Sequence, residues 1–123
     1  MRHDSDTWAT VEALARSDGR YSEYAFLLVL SSVEMQIRMI GEKRHISGEE
    51  LLEGVRVMAT RQYGPMAKEV LNHWGVYSTR DIGMIVFALI DAGLLEAGDD
   101  DSLEHFEDGY DFKRVFEDDY YRG

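Results

Sequence analysis

The 123-residue sequence contains no cysteine and a single proline. Without cysteine the chain has no disulfide framework, no thiolate nucleophile and no zinc site of the cysteine-rich kind. Bases are also scarce, because 13 lysines and arginines face 24 acids and leave a formal net charge of −11. Apolar residues make up 45% of the chain, which suffices for one core without a metal. The composition predicts a single globular domain over residues 1–123.

Long apolar runs are missing as well. None approaches the roughly 20 residues needed to cross a bilayer. The start MRHDSDTW carries acids, whereas a signal or transit peptide carries bases there. We therefore expect a cytoplasmic protein with no membrane contact.

The acids are concentrated near the C-terminus. Residues 96–123, called the acidic segment below, hold 11 acids and three bases, whereas residues 1–95 hold 13 acids and 10 bases. Such a segment repels phosphate backbones and attracts basic surfaces. It predicts a protein partner with a basic surface and no unaided nucleic-acid binding, although a solvated tail that maintains solubility is the competing interpretation. The candidate contact residues are acidic or aromatic: Asp99, Asp100, Asp101, Glu104, Phe106, Tyr110, Phe112, Tyr120 and Tyr121.

Apolar residues at helical spacing, separated by glycines, predict a mainly α fold of five to six helices. Trp8, Val11 and Leu14 predict the first helix. The run EYAFLLVLSSVEMQIRMIG after Ser22 predicts a central, most buried helix, because its first half is apolar almost all round. Asp111 predicts the cap of a short terminal helix that packs back on the body.

The stretch RHISGEELLEGVR contains a capping box. Ser47 is followed three residues later by Glu50, so the serine oxygen can accept the amide of Glu50 while the glutamate reaches back to the serine amide. Acids in this first turn are also favoured by the helix dipole. On this interpretation the glutamates are structural.

The same stretch allows a metal or acid–base site. Glu49 and Glu53 are one helical turn apart, as are Glu69 and His73, and His45 precedes the first pair. If these faces met, carboxylates and imidazoles could bind a metal or move a proton. Neither HExxH nor paired ExxH motifs occur. The sequence therefore predicts no catalytic residue, metal or cofactor, and these five residues are only weak metal candidates.

The middle of the chain is helix-turn-helix-like. Three helices are predicted after Ser47, with the short connector GVYSTRD before the last one. A small β-hairpin wing is predicted near residues 94–106, so a winged-helix regulator is an alternative function. The last helix exposes only Thr79, Arg80 and Asp81 near its start, and that is little for reading bases.

The ordered segments RHISGEELLEGVR, QYGPMAKEVLNHWGV, TRDIGMIVFALIDAGLL and EDGYDFKRVFE resemble a family of small conserved hypothetical proteins restricted to planctomycetes and verrucomicrobia. The similarity covers about residues 21–117. The resemblance implies little about function, because the family has no accepted catalytic residues.

These observations favour a non-catalytic protein–protein interaction module that uses the acidic segment. An enzyme or metal-binding protein, and a winged-helix-like transcriptional regulator, stay open as alternatives. A homodimer also stays open, because the helices carry ample apolar surface.

Overall fold

The computed structural model describes residues 5–41, 46–96, 104–107 and 109–118, and every regular element in these ranges is helical. The mainly α fold expected from the sequence is confirmed. None of the described helices is both long and apolar enough to cross a membrane. The elements are α1 (Ser5–Asp18), α2 (Glu23–Ile40), α3 (Gly48–Tyr63), a 3₁₀ turn (Gly64–Met66), α4 (Ala67–His73), α5 (Thr79–Asp91), α6 (Glu104–Glu107) and a terminal π-helix (Lys113–Asp118).

Local capping signals determine where the longer helices begin and end. Ser22 accepts a hydrogen bond from the amide of Tyr24 at 3.1 Å and starts α2. Gly41 ends α2 in the left-handed region at φ +85°, where a residue without Cβ is favoured. The capping box before α3 is confirmed, since the amide of Glu50 donates to Ser47 Oγ at 3.1 Å and the Ser47 amide donates to Glu50 Oε1 at 3.0 Å.

Helix α2 is the centre of the core, as its apolar run predicts, and it packs against α1, α3 and α5. Its approach to α3 is close, because a Cβ on Gly54 would lie 3.2 Å from the backbone oxygen of Ser32. Gln36 Nε2 also donates to the carbonyl of Glu50 at 2.6 Å. One cluster of buried apolar side chains includes residues from α1 through the π-helix.

Two turns pack directly on each other and fix where α5 begins. The amide of Ser22 donates to the carbonyl of Trp74 at 3.0 Å. A Cβ on Gly75, which has φ +92°, would lie 2.0 Å from the carbonyl oxygen of Arg20, so only glycine fits there. Tyr21 Oη donates to Asp81 Oδ1 at 2.6 Å. These contacts hold the start of α5 beside the start of α2.

The hairpin predicted near residues 94–106 is wrong for the part of this region that is described. The amide of Leu94 donates to the carbonyl of Leu89 at 2.9 Å, so this residue belongs to the end of α5. Gly93, at φ +80°, makes this ending possible. On the other side of the proposed turn, residues 104–107 form α6. Residues 97–103 lie outside the described ranges.

The predicted order of three helices with a short turn before the last is present as α3, α4 and α5. The main packing partners of α4 are α3, the 3₁₀ turn and the π-helix, whereas α5 packs mainly on α2 and α6. In a helix-turn-helix the two joined helices form one unit. Here α4 packs on the π-helix and α5 packs on α6, so the two joined helices hold different parts of the chain against the body.

Candidate functional site

The acidic segment, in its described residues 104–107 and 109–118, is attached to the helical body (residues 5–41 and 46–95) by aromatic side chains. Phe106 is 2% exposed and lies against Gly83, where a Cβ would come within 2.7 Å of the phenylalanine Cβ. Phe112 and Phe116 are also buried, and their rings are 5.2 Å apart at 80°. The predicted packing of the terminal helix on the body is confirmed by this burial.

Thr79 is the polar anchor of the same segment. Its side chain is 1% exposed. The hydroxyl donates to the carbonyl of Phe106 and accepts from the amide of Gly109 at 3.1 Å. This one buried hydroxyl therefore provides a hydrogen-bond partner for two backbone groups, one within α6 and one just after it. The expectation that Thr79 is exposed at the helix start is wrong, because α6 and the residues after it cover the threonine.

Tyr110 makes a second polar attachment. Its hydroxyl donates to the carbonyl of Leu52 at 2.9 Å, across to α3. Burial raises the pKa of Tyr110 above its ordinary value, and the nearby charge of Glu53 acts in the same direction. The raised pKa favours the neutral phenol, which is the form that can donate this hydrogen bond.

Four acids of the segment in its described part are more exposed than its buried phenylalanines. Glu107, Asp111 and Asp118 are exposed, and Glu117 is half-buried. Among the described residues, three ion pairs involve these acids. They join Arg80 Nε to Glu107 Oε1 at 3.3 Å, Lys68 Nζ to Glu117 Oε1 at 3.9 Å, and Lys113 Nζ to Asp118 Oδ1 at 3.3 Å. Each pair is partly or largely exposed, so each contributes little to stability.

An open groove of about 750 Å³ lies where α4, the turn before α5 and the π-helix meet. Three cations line it, namely Lys68, Lys113 and Arg114. Its other lining groups include the ring of Tyr77, which is 66% exposed. The groove is therefore polar and accessible from solvent.

The structure distributes the predicted contact residues unevenly. Phe106 and Phe112 are core residues, so a partner reaches neither side chain without opening the core. Tyr110 is half-buried and hydrogen-bonded to the body. Glu104 lies in α6. The remaining predicted contact residues lie outside the described ranges: Asp99, Asp100, Asp101, Tyr120 and Tyr121.

The weak metal candidates do not form a site among the residues that can be placed. Within the described ranges, no group of three or more histidines, aspartates and glutamates could hold a metal ion. Glu53 Oε2 accepts a hydrogen bond from Arg56 Nε at 2.9 Å, and this bond lowers the pKa of Glu53. A general base needs the opposite shift. Glu49, Glu69 and His73 are exposed, and His45 lies outside the described residues.

Helix α5, the last helix of the helix-turn-helix-like centre, also offers few groups to nucleic acid. Arg80 is the basic residue of α5, and its guanidinium pairs with Glu107. The carboxylate of Asp81 accepts the amides of Tyr77 and Ser78, so it serves the backbone at the start of the helix. A DNA-reading helix instead presents free arginine, lysine, asparagine or glutamine side chains.

Sequence reasoning misses Thr79 and the groove cations. A threonine at a helix start is ordinarily solvent-facing or a cap, so no local pattern indicates that Thr79 joins α5 to α6. One signal was available at Gly83, because a glycine inside an otherwise apolar helix weakens that helix and points to a close packing partner. The identity of that partner, Phe106, needs the tertiary structure.

Comparison with protein-family models, curated proteins and solved structures finds no match to this chain. The resemblance to a planctomycete and verrucomicrobial family therefore stays a prediction.

Proposed function

We propose that this protein is a non-catalytic module that binds a protein with a basic surface through its acidic segment. The observation that carries the proposal is the separation of side chains within that segment. Phe106, Phe112 and Phe116 point into the core, whereas Glu107 and Asp111 are exposed. The aromatic residues therefore hold the acids in place on the body. A charged surface that is already ordered loses less conformational entropy on binding than a free tail does.

The charge distribution supports a basic partner. The acidic segment contributes 11 of the 24 acids and only three of the 13 bases. A concentration of one sign steers a partner of the opposite sign and makes association salt-dependent. We expect both association and its salt sensitivity to depend on this segment more than on acids elsewhere.

The test is affinity capture of the tagged protein from host lysate at low and high salt, with four acids of the segment neutralised together. The variant is Glu107→Gln, Asp111→Asn, Glu117→Gln and Asp118→Asn. Its control removes the same charge at four exposed acids of the body: Asp6→Asn, Glu49→Gln, Glu69→Gln and Asp91→Asn.

We expect the wild-type protein and the body control to retain a stoichiometric basic partner at low salt, and the segment variant to lose it. High salt should release the partner from the wild type. Circular dichroism and thermal unfolding confirm that both variants are folded. Equal loss of capture in the two variants would show that net charge alone matters, and capture unaffected by the segment variant would refute the proposal.

A further inference from the structure

The groove beside the π-helix concentrates positive charge in an acidic protein. It is lined by Lys68, Lys113 and Arg114, three of the 13 basic residues in a chain whose net charge is −11. Lys113 and Arg114 are adjacent in sequence and exposed. Two carboxylates, Glu107 and Asp111, line it as well, so the lining residues carry a formal net charge of +1. A positive lining in a chain whose net charge is −11 favours a negative ligand.

The carboxylates near these cations each have a hydrogen-bond or ion-pair partner. Two of them line the groove, and both have partners: Glu107 Oε1 accepts from Arg80 Nε at 3.3 Å, and Asp111 Oδ1 accepts from the backbone amide of Lys113 at 2.9 Å. Arg80 is not among the lining residues. The acids that pair with the two lysines, Glu117 and Asp118, do not line the groove either.

Arg114 is the cation best suited to hold a ligand. It is exposed, and no hydrogen bond or ion pair joins it to another residue in the described part of the chain. A guanidinium presents paired N–H donors that match the oxygens of a phosphate group. Lys68 and Lys113 line the same groove, and each is paired with an acid outside it in a partly exposed ion pair.

The groove also offers an aromatic surface. Tyr77 lines it and is 66% exposed, whereas Phe112 is buried and Tyr110 is half-buried. An exposed ring is a stacking surface for a planar ligand group. The volume of about 750 Å³ falls in the range of roughly 300–1,000 Å³ that small-molecule sites occupy.

We propose that this groove binds a small anion that carries both a phosphate monoester and an aromatic ring, as a nucleoside monophosphate does. Arg114, Lys113 and Lys68 bind the phosphate, and Tyr77 stacks on the ring. The groove shares Glu107 and Asp111 with the acidic surface assigned to a protein partner. The two proposals concern different ligands and depend on side chains of opposite charge, so either can fail while the other holds.

The test is isothermal titration of the full-length protein, in phosphate-free buffer, with three probes: adenosine monophosphate, adenosine and inorganic phosphate. We expect adenosine monophosphate to bind with a dissociation constant in the millimolar range or lower. It should bind at least about tenfold more tightly than either other probe, because adenosine lacks the charged contacts and phosphate lacks the aromatic stacking contact, and each kind of contact changes affinity by about that factor. Absence of binding, or equal binding of adenosine or phosphate, would overturn the proposal.

Two matched variants locate the site. Lys113→Gln with Arg114→Gln should weaken binding of adenosine monophosphate at least about tenfold, since two charge-assisted contacts are lost. Arg16→Gln with Arg38→Gln removes the same charge from exposed positions on α1 and α2 and should leave the affinity unchanged. Tyr77→Ala should abolish the advantage over inorganic phosphate. Equal weakening by both double variants would show a nonspecific charge effect and contradict the assignment.

Discussion

In the helical body, helix ends coincide with signals in the neighbouring sequence, whereas in the acidic segment the structure depends on residues far away along the chain. Ser47 and Glu50 cap α3 from within one turn. By contrast, Phe106 reaches its place through Gly83 and Thr79, both on α5. Local signals therefore mark helix ends in the body, whereas long-range packing positions the segment.

The acids of the two regions also lie in different structural settings. The acids of the body lie largely where helices favour them, as Glu49 and Glu50 do in the first turn of α3. The segment carries exposed acids on elements too short to be stable alone, since α6 has four residues and the π-helix has six. We therefore expect burial of its phenylalanines, and not its exposed acids, to stabilise the segment.

The largest predicted effect comes from removing the main anchor of the segment. Phe106→Ala should lower the free energy of unfolding by about 3–5 kcal/mol, because it removes a buried ring and leaves a cavity against Gly83. Urea denaturation followed by circular dichroism measures the change. The control Tyr24→Ala removes a ring that is 54% exposed and should lower the free energy of unfolding by about 1 kcal/mol or less. Similar values for the two variants would contradict the docking of Phe106.

A smaller effect is expected from the buried hydroxyl of Thr79. Thr79→Val keeps the shape but leaves the carbonyl of Phe106 and the amide of Gly109 without this partner, and it should lower the free energy of unfolding by about 1–3 kcal/mol. Hydrogen exchange should accelerate first at residues 104–118. Thr10→Val is the control, because its hydroxyl bonds the Asp6 carbonyl on an exposed surface. Uniform acceleration across α2 and α3 would show that Thr79 supports the whole core instead.

The helices of the body can be predicted from the sequence because the signals that specify them are local. A capping box, a left-handed glycine and a 3.6-residue apolar period are each contained within about one to four turns, so they can be recognised without knowledge of the fold. The hairpin prediction near residues 94–106 fails because Leu94 is tied to Leu89 and because Phe106 is held by α5. The groove was not predictable either, since Lys68 and Arg114 are far apart in sequence and share it only through packing.

The smallest effect concerns pH and the attachment of Tyr110 to α3. Burial raises the folded-state pKa of Tyr110 above the unfolded value of about 10. The neutral phenol therefore stabilises the fold below about pH 10, and this contribution is lost as pH rises further. Tyr110→Phe should lower the free energy of unfolding by about 1 kcal/mol at pH 7, because the bond to the carbonyl of Leu52 is lost.

Above about pH 10 the wild type should lose stability more steeply than the Tyr110→Phe variant, so the two unfolding curves converge. Thermal unfolding measured from neutral to strongly alkaline pH tests this. Tyr21 is retained in both proteins, and burial and its bond to Asp81 raise its pKa as well, so its own alkaline effect cancels in the comparison. Parallel curves would show that the Tyr110 phenol is equally free to ionise in the folded and unfolded states. The segment would then be less firmly packed on α3 than its contacts indicate.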